Sequence, residues 1–244
     1  MAVLDGASAF GSPGRVSGGA FAENLGRSLV DEMDESSSLT TVLVLALRKT
    51  IAMLGLPFGS PDAPSSTVAV IRARTGGFLD LLALGDSTIV LGYRDGTQEI
   101  ICDDRLERLG LPQSGAYRSR LQRGGGYNDE HRELLVELQQ EQRRRRNRPG
   151  GYWIASTVPE ASRHAITMTR SMKALSWVAL ATDGVTDPLE ALGYSWPEVA
   201  ALNSNEMADL LSRLQQWEAE TDPCGVVLPR AKRHDDKTLI VAAV

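Results

Sequence analysis

Apolar positions recur along this chain with two periods, and the switches between them outline its elements. Residues 1–4 are a short apolar run stopping at Asp5-Gly6, a strand followed by a turn signal. Residues 7–18 are small and rich in Gly and Ser and read as a loop. Ser17 suits the N-cap of a helix running to about Glu32, with Phe21, Leu25 and Leu29 at i, i+4 and i+8. Ser36, Ser37 and Ser38 offer caps for a second helix over 39–54, apolar on most faces and so expected to be well buried. Pro and Gly make 55–65 a loop.

The period then becomes two. Over 67–74, Val68, Val70 and Arg72 fall on one face and Ala69, Ile71 and Ala73 on the other. Gly76-Gly77 turns into a strand at 78–84, Gly85-Asp86-Ser87 into one at 89–93, and Arg94-Asp95-Gly96 predicts a hairpin turn into 98–102. Consecutive strands without intervening helices form an antiparallel meander, which argues against a doubly wound parallel sheet. Residues 103–128 are polar and read as irregular. Asp129 is predicted to cap a helix to about Arg146, with Leu134, Leu135 and Leu138 on one face. Residues 152–155 and 165–169 read as strands around a turn or short helix at Pro159-Glu160. The apolar run 178–181 predicts a buried central strand ending in Thr182-Asp183-Gly184, with a helix starting beyond it at Asp187-Pro188. Asn203 and Glu206 have capping-box spacing before an apolar face of Met207, Leu210, Leu214 and Trp217. Residues 221–233 read as a loop, and 238–244 as a β-branched closing strand.

Composition narrows the function classes. With 244 residues, 42% of them hydrophobic, the chain suits one large domain over 1–244. A net charge of −5 and a pI near 5.3 give no global attraction to nucleic acid or anionic membrane. The arginine tract at 143–146, continued by Arg148, follows Glu137 and Glu141 and lacks interleaved aromatics. It reads as a solvated helix end set favourably against the dipole, not as a nucleic-acid contact. Cys102 and Cys224 have no CxxC partner, so two buried thiols in a reducing compartment are expected. No apolar run reaches the roughly 20 residues of a membrane span, and a basic leader is lacking. A cytoplasmic location is expected, with neither membrane nor nucleic acid as partner.

Three acidic residues sit at predicted strand ends, Asp5, Asp183 and Asp235, and a fourth, Asp86, lies in the turn after the strand at 78–84. Carboxylates gathered at one sheet edge repel and raise one another's pKa values unless cations neutralise them. Oxygen-only ligands select Mg²⁺, Mn²⁺ or Ca²⁺ over zinc, and two such ions side by side suit hydrolysis of a phosphoryl ester. Taken singly, an Asp-Gly at a strand end is an ordinary turn; the order of all four is more specific.

That order resembles the metal-dependent Ser/Thr protein phosphatases, the protein phosphatase 2C-like (PPM) family of bacterial type. Ala2-Val3-Leu4-Asp5-Gly6 is similar to its early strand, Leu84-Gly85-Asp86-Ser87 to its GDS motif, Thr182-Asp183-Gly184-Val185-Thr186-Asp187 to its TDG motif, and Asp235-Asp236-Lys237-Thr238 to its closing D-N-x-T strand. The resemblance implies an α+β fold, a four-layer α-β-β-α sandwich with two central antiparallel sheets. It implies two Mn²⁺ or Mg²⁺ ions bridged by Asp5, with the Gly6 carbonyl on one of them and Asp183 and Asp235 completing a shell. Asp86 with Asp183 would hold a third, weaker ion. It implies hydrolysis of phosphoprotein Ser/Thr phosphate by a metal-bridging hydroxide, with a phosphoprotein as substrate and a cognate Ser/Thr kinase as a candidate partner. The chain departs from the family pattern. The upstream strand with its Asn-Glu-Asp or Glu-Asp ligands is missing, so the domain is expected to be N-terminally short with an exposed sheet edge. Ala7 stands where eukaryotic members carry a His, and Asp236 where Asn is usual. His234 beside Asp235 reads as a surface residue, and 103–127 falls where the family has a variable flap. The alternative is a catalytically impaired PPM-like domain that binds a phosphoprotein or partner.

Overall fold

The strands over 68–74, 78–84 and 88–93 decide the architecture, because they are buried on both faces and both must be covered. The computed structural model describes residues 1–9 and 16–244; positions 10–15 of the loop expected over 7–18 lie outside the described residues. The elements are β1 (Ala2–Val3), α1 (Gly18–Asp31), α2 (Leu39–Met53), β2 (Val68–Arg74), β3 (Phe78–Leu84), β4 (Thr88–Tyr93), β5 (Gln98–Ile101), α3 (Arg105–Arg108), α4 (Pro112–Gln122), α5 (Asp129–Arg145), β6 (Ile166–Ser171), β7 (Leu175–Ala181), α6 (Asp183–Ala191), α7 (Trp196–Ala200), α8 (Ser204–Gln216) and β8 (Leu239–Ala243). Two four-stranded sheets result, ordered β1-β2-β3-β6 and β5-β4-β7-β8, with every pairing antiparallel.

The two faces of β2 go to different layers. Val68 and Val70, with Leu82 and Leu84 of β3, pack against Phe21, Leu25, Leu43 and Leu47 of α1 and α2. Ala69 and Ile71, with Leu81 and Ala83, meet Ile89, Leu91 and Leu180 of the other sheet. Beyond that sheet, Ala181, Leu239 and Val241 pack against Val185, Leu189, Leu210 and Leu214 of α6 and α8. The order of layers is α-β-β-α, the four-layer sandwich expected. Ser17 and Ser38 cap α1 and α2, accepting from Ala20 N and Thr41 N at 3.1 Å each, and the Asn203–Glu206 capping box opens α8.

Several expectations are corrected. Residues 103–128 are not irregular: α3 and α4 lie there, and α4 packs on α5 through Tyr117, Leu121, Leu135 and Leu138. Two apolar positions four apart in a polar helix are too sparse a pattern to see, although Pro112 at the first turn marks the start. Asn128, not Asp129, caps α5, its Oδ1 accepting from His131 N at 3.1 Å. Residues 152–155 form no strand, only isolated bridges. Asn147, in the left-handed region at φ 53°, takes the Ile154 N–H on its side-chain oxygen at 2.8 Å and so removes that group from any ladder. Helix α6 starts at Asp183, not beyond Asp187, and Pro188 lies inside it. Cys224 is exposed and Cys102 half-buried, because Cys224 falls between Pro223 and Gly225 in the surface loop. No helix among the described residues is long and apolar enough to cross a membrane.

Candidate metal centre

Four separate stretches deliver the expected carboxylates to one cavity. After β1 the chain leaves the sheet at Asp5, whose N–H donates to Thr67 Oγ1 at 3.1 Å and whose carbonyl accepts from Thr67 N at 2.9 Å. Strand β7 ends at Ala181, Thr182 caps α6, and Asp183 is the first helical residue. Thr182 Oγ1 accepts from Thr238 N at 3.1 Å and donates to the Asp236 carbonyl at 3.2 Å, which fastens the segment before β8 to the end of β7. Gly184 is required for that approach, since a Cβ there would run into the Asp236 carbonyl oxygen and crowd the Asp235 Cβ. Asp86 lies between β3 and β4 after Gly85, which has a left-handed φ of 83°. The Gly85 N–H donates to the buried Asp103 at 3.1 Å.

Asp5, Gly6, Asp86, Asp183, Lys232 and Asp235 line one cavity of about 180 Å³, room for several waters. All five residues expected at the site are thus brought together. Their charges are under-compensated. Burial, then Asp183 and Asp235, push the Asp5 carboxyl up to about 8. Asp183 is likewise raised, by burial and by Asp235, against a hydrogen bond from Asp5 that favours its ionised form. Burial and Asp183 push Asp86 up to about 7.

As they stand, no three His, Cys, Asp or Glu side chains among the described residues are arranged to hold a metal ion. Asp235 pairs with the Lys232 ammonium and accepts from Asp236 N at 2.9 Å. The donor chemistry nonetheless fits a hard divalent cation, being oxygen-only, half-buried and in excess of negative charge.

Other candidates face elsewhere. His234 Nδ1 lies 3.4 Å from the buried Glu218, which pairs with Lys237 at 2.8 Å. Burial pushes the Cys102 thiol up to about 11, which makes it a poor nucleophile. Arg144 and Arg145 pair with Glu141 at 3.2 and 2.7 Å, Arg143 with Asp62 at 3.3 Å, and Arg146 donates to the Pro61 carbonyl at 2.6 Å. Sequence reasoning missed Asp103 and Lys232. Asp103 follows a strand just as Asp5 does, so the strand-end criterion would have found it; Lys232 gave no signal in a polar loop.

Comparison with solved structures matches this arrangement of layers. A bacterial serine phosphatase carrying one substitution aligns over 100% of this chain and 84% of its own, with TM-score 0.54 and 11% identity. A second structure of a bacterial serine phosphatase aligns over 99% and 84%, with TM-score 0.52 and 13% identity. The serine/threonine phosphatase Stp1 from Staphylococcus aureus aligns over 100% and 82%, with TM-score 0.51 and 13% identity. The chain has the PP2C-type phosphatase fold. No protein-family model and no curated protein matches it. Within the PP2C-type fold, the acidic cluster sits where β1, β7 and the approach to β8 end together.

Proposed function

We propose that the chain is a metal-dependent phosphoprotein phosphatase acting on Ser/Thr phosphate monoesters. The observation that carries this reading is the meeting of Asp5, Asp183 and Asp235, from three distant stretches, at one cavity of a PP2C-type fold. In this reading those three aspartates and the Gly6 carbonyl would hold two Mn²⁺ or Mg²⁺ ions, and Asp86 with Asp183 would hold a third, weaker one. When bound, such ions supply Lewis acidity toward a phosphoryl ester and make water nucleophilic at neutral pH. The protein binds and orients. Thr67 and Thr182 fix the backbone that carries the carboxylates, and Asp103 beyond β5 with Gln139 and Gln142 of α5 also line the cavity, which a phosphorylated segment would enter. No side chain is required as a nucleophile.

The Lys232–Asp235 ion pair favours a second reading, a PPM-like module that binds phosphoprotein without turning it over. One experiment separates the two: hydrolysis of p-nitrophenyl phosphate and of a phosphothreonine peptide with Mn²⁺, with EDTA, and by Asp183→Ala. Turnover that needs Mn²⁺ and disappears in the variant supports the phosphatase. A folded protein that binds the phosphopeptide without releasing phosphate supports the module and excludes the phosphatase.

A further inference from the structure

Of the charged residues lining the cavity, five are aspartates (Asp5, Asp86, Asp103, Asp183 and Asp235) and one, Lys232, is a cation. Asp103 already has its own partner, Arg105, at 2.5 Å. Among the described residues lining the cavity, Lys232 is the cation that pairs with one of the others, Asp235. It lines the same cavity as Asp5 and Asp183. This is not a lysine swinging in solvent, since its side chain is only 27% exposed.

The segment that carries it is pinned on both sides. Arg230, 8% exposed, pairs with the buried Asp222 at 2.8 Å and donates to the Glu218 and Asp222 carbonyls at 3.2 and 2.8 Å. The Ala231 carbonyl meets His131 Nε2 of α5 at 3.0 Å. Lys237, also 8% exposed, closes the far side on Glu218 at 2.8 Å. Between these anchors the backbone has little freedom, so Lys232 and Asp235, three residues apart, face the cluster together.

We propose that Lys232 is a built-in counter-cation of the acidic cluster, standing where a divalent ion must sit to reach Asp235. The inference rests on the metal reading given above and adds to it a competition: occupancy at Asp235 requires that the Lys232 ammonium withdraw. The chain thereby holds its carboxylates together without metal and binds metal more weakly than the bare cluster would.

Mn²⁺ binding by the full chain tests this, followed by isothermal titration calorimetry for wild type, Lys232→Met and Lys232→Arg, with the thermal midpoint of each in EDTA and in Mn²⁺. A neighbouring unit charge shifts a site's equilibrium by a factor of ten or more, so Lys232→Met is expected to bind Mn²⁺ about tenfold tighter or better. It should melt below wild type in EDTA and gain more on adding Mn²⁺, while Lys232→Arg behaves as wild type. A Lys232→Met protein that folds only with Mn²⁺ gives the same support. Should it fold in neither buffer, Lys232→Gln carries the same comparison. Equal or weaker Mn²⁺ binding by the charge-removing variant, with wild type binding, overturns the role of Lys232 and leaves the metal reading intact. Binding by none of the forms overturns both.

Discussion

Gly184 shows how one missing atom shapes this molecule. It is the second residue of α6, and the chain carrying Asp235 and Asp236 passes directly against it. Gly184→Ala must push that chain away and break the Thr182 contacts to Asp236 and Thr238. The variant is expected to lose about 2 kcal/mol of stability, in the range for a core steric clash, read from urea unfolding. Its Mn²⁺ affinity should fall as well, because Asp235 moves with the segment. A variant as stable as wild type would show that the close approach is not needed. In the sequence Asp183-Gly184 carried two readings, a plain turn and a site motif. The structure gives a third, in which both residues belong to a helix start.

At the scale of elements, β2 and β3 tie the first sheet to the helix layer through charge as well as apolar contact. Arg72, on the same face as Val68 and Val70, pairs with Asp80 of β3 at 2.7 Å and donates to the Ser37 and Asp34 carbonyls before α2. Both side chains are nearly buried, 8% and 13% exposed. Asp80→Ala leaves the guanidinium without its carboxylate and is expected to cost about 3 kcal/mol, measured by urea unfolding. The pH dependence has a fixed sign. Burial alone would push the Asp80 carboxyl up, but the hydrogen bonds from Arg72 and Thr169 outweigh it and hold it below the usual carboxylate range. A group lowered in the folded state contributes stability that is full above the unfolded pKa of about 3.9. That contribution is lost as pH falls through the still lower folded value. Asp80→Asn should therefore show less loss of stability below about pH 4 than wild type; an identical acid limb would remove Asp80 from that role.

The strands that alternate strictly, and the helices that open on Ser17, Ser38 and Asn203, were legible because their pattern is the packing. The pieces that misled, at 103–128, 152–155 and 183–188, are those where side chains such as Asn147 or a few apolar residues carry the structure. The candidate cluster was legible for the same local reason, since Asp5, Asp86 and Asp183 each follow a strand and Asp235 precedes one. Lys232 was not, because a loop held by Arg230 and Lys237 has no period to read.

Over the whole molecule, the layer between the two sheets joins residues far apart in sequence. Leu81, fully buried there, is expected to cost about 3 kcal/mol when replaced by Ala. If the two sheets form one domain, far-UV circular dichroism and tryptophan fluorescence should report the same single transition in wild type and variant. Two separated transitions would show that the sheets unfold apart. The same layer sets the distance between the ends of β1 and β7, and so underlies the convergence of Asp5 with Asp183. Crystals soaked in Mn²⁺ test that convergence most directly, through anomalous scattering at the manganese edge. A peak bounded by Asp5, Asp183 and Asp235, absent in Asp183→Ala crystals, is the expected result. Well-ordered Mn²⁺ elsewhere on the protein, with none in this cavity, would contradict it.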